Sequence, residues 1–282
     1  MHIMAGGGVG GAETMFLEGV LALADSGQVE QYAITRPEPH RLKMLKEKGI
    51  QYKTASFNNV FRWPTKRVIK KAIKEFQPDI IHYWMGRAGS YAVTGSHKNV
   101  AWYGSYYNRQ KYFPLCPYHI VVSRDLKRFL VEGGVAEDNV RTIHTFARLN
   151  MDANPIDRAE FDTPDDAPLL LALARLHWQK SIDTLLHAVK DIPEAYLWIA
   201  GDGPLREELH QLNKDLGLED RVKFLGWRND RDRLLQTCDI VAFPTREDAF
   251  GNVMVEGWMT KKPVVTTKAK GPKAYIRHEE NG

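Results

Sequence analysis

The sequence predicts an α/β protein made of two doubly wound, Rossmann-like domains, and three observations predict it. Short apolar runs alternate with amphipathic helical stretches along nearly the whole chain, which is the pattern of parallel strands joined by crossover helices. The first run, His2–Ala5, leads through GGGVGG into a helical pattern from about Ala12 to Ala24, giving a strand, a glycine turn and a helix in succession. The length of 282 residues suits two domains of ordinary size. The Asp- and Pro-rich stretch Leu149–Pro168 has no sustained periodicity and is the linker candidate between residues 1–150 and 151–282.

Composition bounds the function classes. With 43% hydrophobic and 26% charged residues the chain reads as soluble and globular. No run approaches the roughly 20 apolar residues needed to span a bilayer. The opening MHIMAGGG has neither a basic n-region nor an apolar h-region, so a signal peptide is not expected. Cys116 and Cys238 are the only cysteines and show no metal spacing, so two buried thiols in a reducing cytoplasm are expected, with a catalytic cysteine as the lesser alternative. The net charge of +4 conceals an asymmetry. Residues 1–150 carry 21 Lys and Arg against 12 Asp and Glu, or +9, and the remainder carries −5. Two domains with different partners would account for it.

In the first half, Met15, Phe16, Leu17, Val20, Leu21 and Leu23 supply the buried side of the first helix. Gly6, Gly8 and Gly11 spell the dinucleotide pattern GxGxxG. A nicotinamide enzyme also needs an acid at the end of the second strand to hold a ribose, and Tyr32–Thr35 ends in Arg36-Pro37. Helices are predicted over Arg41–Lys48 and Pro64–Phe76, the latter carrying Lys66, Arg67, Lys70, Lys71 and Lys74. Further strands are predicted at Pro78–His82, Val100–Tyr103, His119–Val122 and Val140–His144, and Ser123 is placed to cap the helix that follows it. The run Trp102–Tyr112, WYGSYYNRQKY, interleaves aromatics with Arg109 and Lys111. Such a run either stacks on sugars or bases, or packs a loop against the sheet.

In the second half, strands at Leu169–Ala174, Ala195–Ala200, Val222–Leu225 and Ile240–Phe243 alternate with helices at Ser181–Val189, Leu205–Leu216 and Asp230–Cys238. The polar residues that could carry chemistry follow strand ends, where ligands sit in open α/β sheets. Arg175 and Lys180 follow the first of these strands; two cations five apart in such a loop either converge on one diphosphate or are solvated surface charges. Gly201-Asp202-Gly203-Pro204 opens a helix, either to let a ligand approach the backbone or only to make the turn. Phe243–Met259, FPTREDAFGNVMVEGWM, is a buried strand end, a polar loop and a helix start. Asp248 and Glu256 bracket that turn with seven residues between them. Two carboxylates accept hydrogen bonds from neutral hydroxyls, whereas the N–H groups of a helix's first turn suit an anion, so a ligand with both sugar and phosphate would satisfy both.

This set resembles the retaining nucleotide-sugar glycosyltransferases of the GT-B fold, the large group 1 family, including its lipopolysaccharide-core type. Five elements in family order span roughly 110 residues. The family's carboxylate-x7-carboxylate element is matched by Asp248, Phe250-Gly251-Asn252 and Glu256, with Glu247 adjacent. Its Gly-Arg-Leu…Lys-Gly is matched by Ala174-Arg175-Leu176…Lys180-Ser181, the cations kept and both glycines changed. Gly201–Pro204, Val222–Gly226 and the Gly271–Gly282 turn complete the five, and the N-terminal Gly10-Gly11-Ala12-Glu13 matches a further turn of the family outside that span.

The resemblance implies two domains facing across a cleft, an acceptor domain at 1–150 and a nucleotide-sugar domain at 151–282, and hexosyl transfer with retention of configuration. It implies that Arg175 and Lys180 stabilise the leaving diphosphate and that Asp248, with Glu247, holds the donor sugar. Glu256 would hold the ribose, and Phe250, Gly251, Asn252, Gly201, Asp202, Gly203 and Gly226 would complete the donor site. Gly10, Gly11, His82, Tyr103 and Arg109 fall on the acceptor side; Tyr103 stands where many members have a histidine. No cofactor and no metal are expected, with the nucleotide sugar as substrate and a glycan or lipid-linked molecule as acceptor.

The cations of Arg41–Lys53 and Arg62–Lys74 either form solvated faces or meet an anionic membrane surface, so a cytoplasmic, peripheral location is expected. No nucleic-acid motif accompanies them. In the family the Gly271–Gly282 turn runs on into another strand and terminal helices, so the second domain is expected to be shortened. The alternatives are a nicotinamide oxidoreductase using the N-terminal glycine loop and a non-catalytic sugar-nucleotide binder.

Overall fold

The computed structural model describes residues 1–8, 10–58 and 60–282. It divides into two compact units, Met1–Thr145 and Phe146–Gly282. The first unit runs β1 (His2–Met4), α1 (Gly11–Ser26), β2 (Tyr32–Thr35), α2 (Pro39–Glu47), β3 (Gln51–Thr54), α3 (Trp63–Phe76), β4 (Ile80–Trp84), α4 (Met85–Gly89), β5 (Lys98–Tyr103), α5 (Arg109–Tyr112), β6 (Tyr118–Val121), α6 (Arg124–Glu132) and β7 (Val140–Thr142). The second runs β8 (Leu169–Leu173), α7 (Ile182–Lys190), β9 (Tyr196–Ala200), α8 (Arg206–Asp215), β10 (Val222–Gly226), α9 (Arg231–Thr237), β11 (Ile240–Phe243), α10 (Asn252–Met259), β12 (Val264–Thr266) and α11 (Lys270–Lys273).

Among the described residues each unit holds one parallel sheet, ordered β3-β2-β1-β4-β5-β6-β7 in the first and β10-β9-β8-β11-β12 in the second. The expected α/β class, with two doubly wound sheets, is what the structure shows. The strand order reverses between β1 and β4 and between β8 and β11, and those two switch points are where such sheets bind ligands.

Period-2 alternation builds the second core. Leu169, Leu171, Trp198, Ala200, Val241 and Phe243 pack on one face with α9 and α10, while Ala172, Leu197, Ile199 and Ala242 pack on the other with α7 and α8. In α3 the inward side is Thr65, Ile69 and Ala72, one residue per turn.

The stretch read as a linker is not free-standing. Asn150 N donates to Asp232, Ile156 is buried and its N–H donates to Thr237 Oγ1, and Arg158 forks onto both oxygens of Asp239 at 3.0 Å. It lacks periodicity because side chains, not a ladder, satisfy its backbone as it crosses the second unit.

Candidate functional site

The site forms at the β8/β11 switch point. Ala174 N continues the ladder to Ala200 O, and Leu176, almost wholly buried, anchors the loop by donating to Asp202 O and accepting from Leu205 N. The β8 and β9 loops are thereby laced together by backbone. Gly201 has φ +145°, and a Cβ there would lie 1.9 Å from Ala174 O; one on Gly203 would lie 2.4 Å from Leu176 O. Both glycines therefore serve the close approach of two loops, and only glycine fits.

A single 3-10 turn, Trp178–Lys180, follows, and Ser181 takes a left-handed φ of +56° to enter α7. The β11–α10 loop is stapled onto this turn. Arg246 N donates to Gln179 O at 2.8 Å, and the buried Thr245 hydroxyl lies 2.9 Å from the carbonyl oxygens of Gln179 and Glu247. The Arg246 guanidinium grips Asp183 at 2.7 Å and Trp178 O at 2.8 Å, and it holds the Asp183 carboxyl below its ordinary range.

The staple brings Lys180 Nζ to 2.6 Å from Asp248 Oδ2, with the ammonium 5.6 Å from the centre of the Phe243 ring. Asp248 Oδ1 accepts from Phe250 N at 3.1 Å, and Gly271 N donates to Asp248 O. The exposed Glu247 instead accepts from the Gln179 amide at 3.0 Å. Of the two neighbouring acids, Asp248 is the one that meets Lys180. Arg175 is exposed in the β8 loop, and among the described residues its guanidinium carries no ion pair or hydrogen bond.

Gly251, at φ +106°, is the turn residue before α10, a conformation that suits glycine. Asn252 opens the helix. Glu256 lies one turn in and is 5% exposed, with Oε1 3.0 Å from Arg231 Nη1. Arg231 opens α9 and also donates to Arg148 O. Sequence reasoning missed Arg231, because nothing local marks a helix-opening arginine as the partner of an acid 25 residues on. Asp202 is exposed, and Gly226, at φ +65°, closes β10 with its carbonyl accepting from Gly201 N at 2.7 Å.

In the first unit, Gly10 and Gly11 begin α1, and Glu13 folds back over Gly6 and Gly10. The buried Arg41 donates to Gly6 O, Gly8 O and Thr35 Oγ1, so the chain's own arginine occupies the glycine loop from behind. A cavity of about 450 Å³ opens at the β1/β4 switch point, lined by Gly6, Glu13, Met85, Arg87, Tyr107 and Tyr112.

His82 does not lie at a strand end. It sits mid-β4 with its ring 4.5 Å from Trp84 and 5.9 Å from His2, and burial lowers its pKa to about 3. Tyr103 is fully buried against Phe113 and His119, because both faces of β5 are covered; the tyrosines at the cavity are Tyr107 and Tyr112. Arg109 lines a separate hollow of about 200 Å³ with Phe129 and Val135. The thiols of Cys116 and Cys238 are buried and pushed up to about 12, so neither is poised as a thiolate nucleophile. Among the described residues no group of three or more His, Cys, Asp or Glu is placed to share a metal ion, and no helix is long and apolar enough to cross a membrane.

Comparison with known proteins decides the family. Residues 153–282 match the family described as "Glycosyl transferases group 1", and residues 9–150 match "Glycosyltransferase Family 4". The chain belongs to the group 1 glycosyltransferases. Two curated relatives of Rhizobium meliloti (strain 1021) are lipopolysaccharide core biosynthesis glycosyltransferases. LpsD is 32% identical over all of this chain and 81% of its own length, and LpsE is 33% identical over 97% and 80%.

Among solved structures, Anabaena HepE in complex with UDP and glucose aligns with a TM-score of 0.81 at 20% identity, covering 100% of this chain and 84% of that one. The lipopolysaccharide outer core galactosyltransferase WaaB aligns at 0.72 and 19%, covering 100% and 85%. These likenesses show that the group 1 chain has the GT-B fold. The oxidoreductase alternative is not favoured by these comparisons.

Proposed function

We propose that this glycosyltransferase moves a hexosyl group from a nucleotide sugar to a glycan or lipid-linked acceptor, with retention of configuration and without a metal. The observation that carries the reading is the convergence of Lys180 and Asp248 at the β8/β11 switch point, beside the exposed Arg175. In this reading Arg175 and Lys180 take the diphosphate. Because charge develops on that group as the glycosidic bond breaks, fixed cations there stabilise the transition state more than the ground state. Asp248 takes hydroxyls of the donor sugar, with Glu247 close by, and Glu256 takes the ribose. Phe250, Gly251, Asn252, Asp202 and Gly226 frame the ligand, while Gly201 and Gly203 hold the loops that carry it. The cavity between Glu13, Arg87, Tyr107 and Tyr112 receives the acceptor. The enzyme works in the cytoplasm at an anionic membrane surface.

The relatives named for lipopolysaccharide core biosynthesis support this acceptor class, and the neighbour solved with UDP and glucose supports a nucleotide-sugar donor. A thermal-shift panel of UDP-, GDP- and ADP-sugars with NADH as control tests the donor, since a ligand at 100 times its Kd stabilises by about 2.7 kcal/mol. Stabilisation by NADH alone overturns the reading. Donor binding with neither hydrolysis nor transfer would make the chain a binder. The anomeric configuration of the product, read by NMR, tests retention.

A further inference from the structure

The segment leading into α3 presents three large apolar side chains to solvent: Val60 is 80%, Phe61 65% and Trp63 64% exposed. Single exposed apolar residues are ordinary, whereas three within four positions form a patch.

The turn that carries them is fixed from below. Phe57 is fully buried, its N–H donates to Thr65 Oγ1 and its carbonyl accepts from Arg36. Asn58 Oδ1 accepts from Val60 N at 2.8 Å, and Asn58 O accepts from the Tyr91 hydroxyl. Arg62 turns over the Tyr91 ring at 4.5 Å and donates to Ser90, so this half-buried cation braces the turn. An arginine less exposed than its Phe and Trp neighbours is the reverse of the usual surface order.

Along α3, Trp63, Arg67, Lys70 and Lys74 recur at helical spacing on the side opposite Thr65, Ile69 and Ala72, and Lys71 adjoins them. The acid on this helix, Glu75, is already paired with Lys53 and Lys71. The outward face is therefore an aromatic tip with a cationic shaft.

We infer that Val60, Phe61 and Trp63 insert among the acyl chains of an anionic bilayer while Arg67, Lys70 and Lys74 sit at its headgroups. Charge complementarity selects this occupant: apolar side chains enter the acyl boundary and cations meet acidic headgroups, each reinforcing the other. The inference rests on the proposed lipid-linked acceptor, since it supplies the means of reaching one, but it is tested apart from transfer.

The full chain is sedimented with phosphatidylglycerol-containing and with pure phosphatidylcholine vesicles, and Trp fluorescence is quenched with lipids brominated in the acyl chains. The wild type binds the anionic vesicles, and brominated lipid quenches it more than it quenches Trp63→Phe. The Val60→Ser, Phe61→Ser, Trp63→Ser triple variant loses vesicle affinity by roughly tenfold or more. Its nucleotide-sugar binding and circular dichroism stay unchanged. Equal binding by wild type and triple variant overturns insertion in favour of charge alone. A wild-type oligomer that the triple variant disperses, without vesicle binding by either, overturns it in favour of a protein interface. Loss of donor binding by the wild type bears on the proposed function and leaves the vesicle result to stand separately.

Discussion

Arg231 is expected to hold Glu256 in place, and cutting that link should cost both stability and donor binding. The Glu256 side chain is 6% exposed and lies 3.0 Å from an arginine that is 33% exposed. Removing one partner of a buried pair typically costs about 3–5 kcal/mol, because the remaining charge is left desolvated. The exposed third of Arg231 lets water reach part of the gap, which places Arg231→Leu at or below the bottom of that range, at about 2–3 kcal/mol. Glu256→Gln keeps the shape and loses the charge, at about 1–2 kcal/mol. The double variant should fall short of the sum by about 1 kcal/mol or more, since both changes remove the same interaction. Urea unfolding followed by intrinsic Trp fluorescence, to which Trp198 and Trp258 contribute, reads this. The same Arg231→Leu should raise KM for the donor with a smaller effect on kcat, as a positioning residue for a ribose contact would. Additivity within about 0.5 kcal/mol, or an Arg231→Leu cost below that, would refute the coupling.

Three further outcomes are expected. Lys180→Ala and Asp248→Ala should each lower transfer by roughly ten- to a hundredfold with the fold intact, each losing a charged contact of about 1.5–3 kcal/mol, whereas Glu247→Ala should keep most activity; equal losses for the two acids in initial-rate assays would be the contrary result. His82 has its pKa lowered by burial from an ordinary 6.5 to about 3, so the unfolded chain takes up the proton first. From this group the stability of the first unit should be full above pH 6.5 and fall below it by about 1.4 kcal/mol per pH unit; His2 and His119, also lowered by burial, add to the fall, so His82→Phe should lessen the slope, and urea midpoints at pH 7.5, 6 and 5 that fall equally in wild type and variant would overturn the reasoning. Gly201→Ala would force a Cβ against Ala174 O and should destabilise by more than about 1–3 kcal/mol while weakening donor binding; an unshifted melt with normal nucleotide titration would contradict the lacing of the two loops.

What the sequence made legible follows from where apolar runs are buried on both faces. Ile240–Phe243 could be read to the residue, and Leu169–Leu173 to within one, because a central parallel strand is a continuous apolar run. Gln51–Thr54 carries no such run, lying at the sheet edge half in water, and Val264–Thr266 is only three residues long with its middle residue exposed; neither could be read as a strand. Lys180 and Asp248 could each be placed after a strand end, but their meeting could not be read, since it depends on the backbone staple between the two loops. Arg231 and Arg246 left no trace, because their partners lie across space and no local period marks them, and Arg41, read among the surface cations, is buried. His82 and Tyr103 were read from strand position and from the family resemblance, neither of which reveals that covered sheets bury both.

The pairing of Lys180 with Asp248 has a consequence for what the enzyme releases. The lysine charge is neutralised by its own neighbour. A bare phosphate or nucleoside diphosphate that captures Lys180 leaves Asp248 facing an anion uncompensated. An intact nucleotide sugar brings hydroxyls that give Asp248 new donors in exchange for the lysine. Under the proposed function the carboxylate thus discriminates between donor and spent nucleotide, and the spent nucleotide is expelled by the same residue that helped to admit its precursor.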